Sequence, residues 1–410
     1  MAALGPEELK IDALLHPEWY QFSQERGSLI EDEDIGKTLA KIEVAGWLLP
    51  YIFGKKELYD CLESLGAPGS LQLELLNKRQ LHRAMKRYAF LVSAYLKNHL
   101  HGKLLRPDLN VIPTNLARPF VRIAQLLGVP PILSYHSYCQ ANWKLKDPAK
   151  GFKIQNLNLE QSFIDSRIVP DEVGFIIPHT MIEYEGRNIP FSVGLAKEGI
   201  HNNDISSVIT ELWNVACNLV RINSEMDKMP DWCDPNVYFK DVRPQIKMFT
   251  DIVFEGCADM QIEVSKNLKI DFSKPVTLRG ETGAQSPLMA MITAFLDIPE
   301  ENDGLRQFTQ DMRNYMLPTQ RRFIEIIEET PSVRKYVIQH GREHPELLKG
   351  YNGCAEERAQ FLKTHYRYAE EYIFSKERDP TGTGGTPFQK FLGKHVAEAD
   401  AGLLTEEDLA

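Results

Sequence analysis

The sequence is short of what several function classes need. No apolar run approaches the roughly 20 residues of a membrane helix. The best stretch, residues 46–54, is brief and contains Pro50. The first residues, MAALGPEELKID, hold no basic segment followed by an apolar one, so no secretory signal is expected. Six cysteines lie far apart, at 61, 139, 217, 233, 257 and 354, and none forms CxxC. That argues against zinc ribbons and thioredoxin chemistry. There is no Asn-x-Ser/Thr sequon either. These absences together favour reduced cysteines and a cytoplasmic location. Cations are in deficit: 47 Lys and Arg stand against 57 Asp and Glu, a net charge of −10. Nucleic-acid and membrane partners are therefore not expected.

What is present reads as a soluble globular chain. It has 410 residues, 43% hydrophobic and 25% charged, enough for two or three domains and a sizeable core. Helical spacing dominates. It predicts one or two amphipathic helices over 37–64 and another over 71–98. The polar face of the latter carries Lys78, Arg79, Arg83, Lys86 and Arg87 and reads as solvated. Residues 103–118 read as a loop, followed by a helix at 118–128. The polar segment 144–162 reads as a connection. It separates a small N-terminal domain, 1–150, from a larger one, 151–410. Helices are expected near 203–226, 237–256, 287–298, 303–316, 318–329 and 331–340, and a long one at 345–375. The stretch 173–193 could turn a hairpin at Glu185-Gly186. The last 15 residues are acidic and read as frayed.

Candidate chemistry is sparse. His340-Gly-Arg-Glu-His344 spells a zinc-peptidase motif. However, Gly341 reads as a helix cap and Pro345 as the next helix's first turn, so the two histidines would not share a face. GTGGT at 382–386 resembles an anion loop, but no Walker lysine follows. It reads as a mobile loop before a short terminal helix that Thr386-Pro387 would start. His365 shares a helix face with Phe361, Leu362, Ala369 and Tyr372. A core histidine and an axial haem ligand both fit that pattern, and periodicity does not separate them. His179, after Phe175-Ile-Ile-Pro178, reads alone as a core or turn histidine. Arg243, near Tyr238 and Phe239, reads alone as a partner in a helix ion pair.

Several stretches gain meaning as an ordered set. Pro130-Pro131-Ile-Leu-Ser-Tyr135 leads to Gln140-Ala-Asn-Trp143 and Lys146-Asp-Pro148. GETGAQS stands at 280–286, and Phe308-Thr-Gln-Asp-Met-Arg-Asn-Tyr-Met316 precedes Pro331-Ser-Val-Arg334. His365 stands seven residues before Tyr372, and GTGGT closes the set. This order and spacing resembles the indoleamine 2,3-dioxygenase family from about 110 to 395, and only faintly over the first hundred residues.

The resemblance implies an all-α fold, a small helical domain capping a larger one that holds haem b. It implies addition of O₂ across the indole C2–C3 bond of L-tryptophan, giving N-formylkynurenine, with an electron donor keeping the iron ferrous. It implies His365 as the iron ligand and Arg243 as the carboxylate-binding arginine. Tyr135, Phe175 and Tyr238 align with pocket walls, Thr282 and Gly283 with the haem-side loop, and Thr383 with the closing loop. Departures stand beside these matches. His179 takes the place of a distal serine and becomes a candidate catalytic hydrogen-bonding group. Tyr138 replaces a small pocket residue, which implies a tighter inner pocket. Thr293 and Leu362 replace an aspartate and an arginine that support the haem, so that support must differ. The resemblance also makes 173–193 helical. Two alternatives remain beside tryptophan cleavage: an oxygen-binding or haem-sensing protein on the same scaffold, or a dioxygenase for another indole.

Overall fold

The computed structural model describes residues 5–66, 70–100, 103–299, 304–376, 382–383, 394, 397, 400 and 402–410. Seven helices position the site: α1 (Gly36–Ile52), α2 (Lys78–Lys97), α3 (Asp171–Glu185), α4 (Ile189–His201), α5 (Ile205–Met226), α6 (Pro287–Leu296) and α7 (Pro345–Tyr372). Helix makes up 62% of the chain and strand 8%, so the fold is mainly all-α. The 173–193 stretch is helical, as the family resemblance implies and the hairpin reading does not: α3 stops at Gly186, and α4 begins with Ile189-Pro190.

Helix α5 is the hub. It packs against α3, α4 and α7. Its face toward α7 is flat because glycine sits opposite it. A Cβ on Gly350 would come within 3.1 Å of the Leu212 Cβ, closer than packed side chains usually approach. Polar ties fix the register. The Cys354 thiol donates to the Leu212 carbonyl at 3.1 Å, and the Tyr368 hydroxyl to the Met226 carbonyl at 3.3 Å. The apolar core is continuous from Leu14 to Leu404.

Four readings need correction. The helix expected over 71–98 breaks before α2. Asn77 caps α2 by accepting from the Gln80 amide at 2.9 Å, while Gln80 Oε1 accepts from the Asn77 amide at 3.1 Å. The helix expected at 118–128 starts earlier and spans Thr114–Leu127. The helix expected at 237–256 ends at Ile246. A three-stranded sheet replaces its second half: β1 (Val111–Ile112) pairs parallel with β2 (Phe249–Phe254), which pairs antiparallel with β3 (Val276–Leu278). Aromatic and β-branched residues dominate β2 and favour a pleated, half-buried surface. The tail, read as frayed, is docked over 402–410. The Ala410 amide donates to the Ile338 carbonyl at 2.9 Å, and Arg342 to the Leu409 carbonyl at 3.0 Å. The start of the helix expected after Pro387 lies outside the described residues, while residues 394, 397 and 400 are helical.

The basic face of α2 is solvated only at its start, where Lys78 and Arg79 are exposed; Arg83 is half-buried. Lys86 and Arg87 are fully buried. Glu43 on α1 accepts from Arg83 at 2.7 and 3.1 Å and from Arg87 at 3.0 Å. Asp32 accepts from Arg83 and Lys86, and Lys86 also donates to the Ala141 carbonyl at 2.7 Å. These cations bind α1, α2 and the 28–34 and 141–161 segments into one body. Burial pushes the Glu43 carboxyl up, but the Arg83 hydrogen bonds and the Arg87 charge outweigh it, and the pKa lies below the ordinary value. Glu43→Ala should cost about 3–5 kcal/mol in denaturant unfolding, because it strands buried cations. The sign with pH follows from the lowered pKa. The contribution is complete above the unfolded value of about 4.3 and is lost as pH falls through the folded value, so wild-type and variant stabilities should converge in acid.

Candidate functional site

Two imidazoles meet across a cavity. His179 stands on α3, one residue after Pro178, which breaks the helix hydrogen-bond ladder there. His365 stands on α7, two turns before its end. The hub α5 packs against both helices. Both rings border a cavity of about 1190 Å³ and a smaller adjoining one of about 100 Å³. The larger exceeds the usual range of ~300–1,000 Å³ for small-ligand pockets. Burial holds the His365 ring down at about 4, with the nearby His179 adding to the shift. Burial likewise lowers His179. Both imidazoles are therefore neutral near pH 7.

His179 has a defined tautomer. Its Nδ1 lies 2.8 Å from the Phe175 carbonyl oxygen. A carbonyl only accepts, so Nδ1 carries the proton. The neutral ring then presents Nε2 as an acceptor.

The walls are aromatic. Phe175 lies 4.7 Å from His179 and 4.7 Å from Tyr238, ring centre to ring centre, and Tyr238 lies 5.6 Å from Tyr372. Tyr135 is 6.1 Å from His179. It is held by a buried carboxylate, since the hydroxyls of Tyr135, Ser28 and Ser286 all donate to Glu183. Tyr135 and Tyr238 each precede or open a wide π-type turn, Tyr135 before 136–140 and Tyr238 in 238–242. Such turns recur at functional sites.

The GETGAQS loop follows β3 directly. Gly280 is where it crosses the turn after Arg243: a Cβ there would sit 2.3 Å from the Ile246 carbonyl oxygen. Glu281 donates its amide to that same carbonyl at 2.9 Å, and Thr383 donates its hydroxyl to the Glu281 carbonyl.

Most of the expected site residues therefore converge. His179, His365, Thr282 and Gly283 border both cavities. Tyr135 borders the larger, while Phe175, Tyr238 and Thr383 border the smaller. Tyr138 and Arg243 border neither. Tyr138 is fully buried behind Phe175, 6.4 Å away. Arg243 is 1% exposed, with its guanidinium 5.2 Å from the Phe239 ring, and its charge reaches the Tyr238 hydroxyl.

Three residues were missed from sequence. Glu183 anchors Tyr135. Glu281 is a buried carboxyl pushed up to about 8 by burial. Arg358 borders the larger cavity, and its Nε donates to Thr293 Oγ1 at 3.2 Å. Arg358 lies one turn before Leu362 on α7, four residues from the position where the resemblance implies an arginine. That spacing was readable. The zinc reading gains nothing, because among the described residues no group of three His, Cys, Asp or Glu side chains could hold a metal ion.

Residues 55–387 match the sequence profile described as indoleamine 2,3-dioxygenase. The chain belongs to the indoleamine 2,3-dioxygenase family. It is 25% identical to mouse indoleamine 2,3-dioxygenase 1 over 410 aligned residues, covering 91% of this chain and 94% of the mouse protein. It is 26% identical to human indoleamine 2,3-dioxygenase 2, covering 85% and 91%. A protein named myoglobin from Haliotis madaka is 20% identical over 80% of this chain and 81% of its own length. His179 and the Arg358–Thr293 pair all line the larger cavity.

A histidine pair supports the Tyr135 turn. His136 Nε2 lies 3.0 Å from His82 Nδ1. One ring donates and the other accepts, so the contact requires that they not both be protonated. Burial pushes His136 down to about 4 and His82 well below its ordinary value. The native state thus binds fewer protons than the unfolded state between the folded value and about 6.5. Stability should fall as pH drops through this window, by on the order of 3 kcal/mol for His136. Urea unfolding between pH 7 and 4.5 should show the fall, and His136→Asn should flatten it.

Proposed function

We propose that this chain is a haem-dependent dioxygenase that cleaves the indole C2–C3 bond of L-tryptophan to give N-formylkynurenine, the first step of the kynurenine route. One observation carries the reading: two imidazoles, on helices packed against one hub, border both a large cavity and a smaller adjoining one walled by Phe175, Tyr238 and Tyr372. The residues fit haem b. His365 offers a neutral nitrogen donor. Met289, Ala290, Ala294, Phe361 and Leu362 give the lining an apolar body, and Arg358 offers a cation for the carboxylates that haem carries. Bound haem would supply the iron that activates O₂, chemistry outside the reach of side chains.

The chain's own residues then bind and orient. Phe175 and Tyr238 present ring faces to an indole. Tyr135, fixed by Glu183, closes another side. Arg243 borders neither cavity, but its charge reaches the Tyr238 hydroxyl; a shift of its side chain past Tyr238 would let its planar fork pair with the substrate carboxylate. His179 Nε2, an acceptor in the neutral ring, suits the indole N–H. Thr282, Gly283 and Thr383 border the remaining side and would exclude water. The reading includes a cytoplasmic location and an electron donor that keeps the iron ferrous. Among the described residues no helix is long and apolar enough to cross a membrane.

The relative named myoglobin favours a second reading, an oxygen-binding protein on this scaffold. Two features weigh against it. An oxygen store needs no carboxylate-binding arginine, and neutral His179 offers an acceptor where a donor would be wanted. Arg243→Ala separates the readings. It should raise KM for tryptophan about tenfold or more, because a buried carboxylate loses its charged partner. KM for plain indole should stay within about twofold. Equal changes for both substrates would remove Arg243 from the site, and no turnover of either by the wild-type protein would favour oxygen binding.

A further inference from the structure

Among the described residues four glutamates are 2% exposed or less, and three of them are hydrogen-bonded. Glu43 holds two arginines. Glu172 accepts from the Phe163 and Ile164 amides at 2.9 and 3.2 Å. Glu183 holds three hydroxyls. Glu281 differs. It is 2% exposed, its Oε1 is buried with no hydrogen-bond partner, and no described residue donates to its side chain. It borders the smaller cavity together with Phe175, His179, Tyr238, His365 and Thr383. Buried polar groups are nearly always paired, so an exception facing a cavity points to a ligand that completes it. A carboxylate's complement is a cation with N–H donors.

Charge around Tyr238 is arranged in the same sense. Its hydroxyl feels the Glu281 carboxyl and the Arg243 guanidinium, with opposite effects. Beside Tyr238 the smaller cavity thus has an acid in its lining, ionised once an ammonium group meets it, and a guanidinium just outside; the two ends of an amino acid call for such a pair.

We propose that Glu281 binds the α-ammonium group of the amino-acid substrate, so that the cavity reads both ends of a zwitterion. The inference rests on the indole amino-acid reading above and adds a specificity: free amines are selected over indoles that lack one.

Calorimetric titration of the haem-loaded protein and its Glu281→Gln variant tests this with three probes. L-Tryptophan carries both charges, tryptamine only the ammonium, and indole-3-propionate only the carboxylate. Glu281→Gln should raise Kd for tryptophan and tryptamine by about tenfold or more, since a charge-assisted hydrogen bond is lost. Kd for indole-3-propionate should stay within about twofold. Equal losses for all three probes, or unchanged binding of tryptophan while indole-3-propionate still binds, would overturn the role of Glu281 alone. Failure of all three probes to bind the wild-type protein would overturn the indole-site reading, and this inference with it.

Discussion

The packing of α7 against α5 is the constraint on which the site depends. Gly350 and Gly353 let α7 approach α5 closely, at Leu212 and Ala216. The same hub carries α3 on another side. His365 and His179 sit on two different helices that would have no fixed relation without it. Two rings presented to one cavity by long, packed helices are held more firmly than two rings on loops. The cavity is thus a consequence of helix packing.

Polar groups inside this protein fall into two kinds. The Arg83–Glu43–Arg87 cluster and the Glu183 hub are closed sets, in which each buried charge meets partners from distant segments. Such sets contribute little net energy as ion pairs, yet breaking one is expensive. They fix how the N-terminal helices sit on the rest and where Tyr135 points. Glu281 belongs to the other kind. Its place in a loop pinned by β3 and by the Ile246 carbonyl keeps it near Tyr238, with no hydrogen-bond partner for its Oε1 among the described residues. The contrast between satisfied and unsatisfied carboxyls separates scaffold from binding surface.

Much of this was legible in the sequence, for identifiable reasons. Helices α5 to α7 carry strong 3.6-residue spacing or clear proline starts. His365 stood on an apolar face, although periodicity alone could not distinguish a core histidine from a ligand; the family resemblance implied the ligand and also implied helix over 173–193. What failed was non-local. The cations of α2 look the same in sequence whether water or Asp32 and Glu43 face them, and those acids lie some 40 to 55 residues away. The β2 segment has apolar residues that fit either period, and its partners, β1 and β3, lie far off in the chain. Glu281 was visible inside GETGAQS, but a glutamate in a glycine-rich loop reads as solvated until its burial is known. Arg358 could have been found by looking one helical turn from Leu362.

The claim at the centre is that His365 makes this cavity a haem site for an indole. The most direct measurement is an optical titration of the haem-free protein with haem, for wild type and His365→Ala, followed by reductant, air and L-tryptophan in the same cuvette. The wild type should bind one equivalent with a sharp Soret band and then accumulate N-formylkynurenine absorbance, while His365→Ala should lose the stoichiometric band. An unchanged Soret band in His365→Ala, or a wild-type protein that takes up no haem, would contradict it.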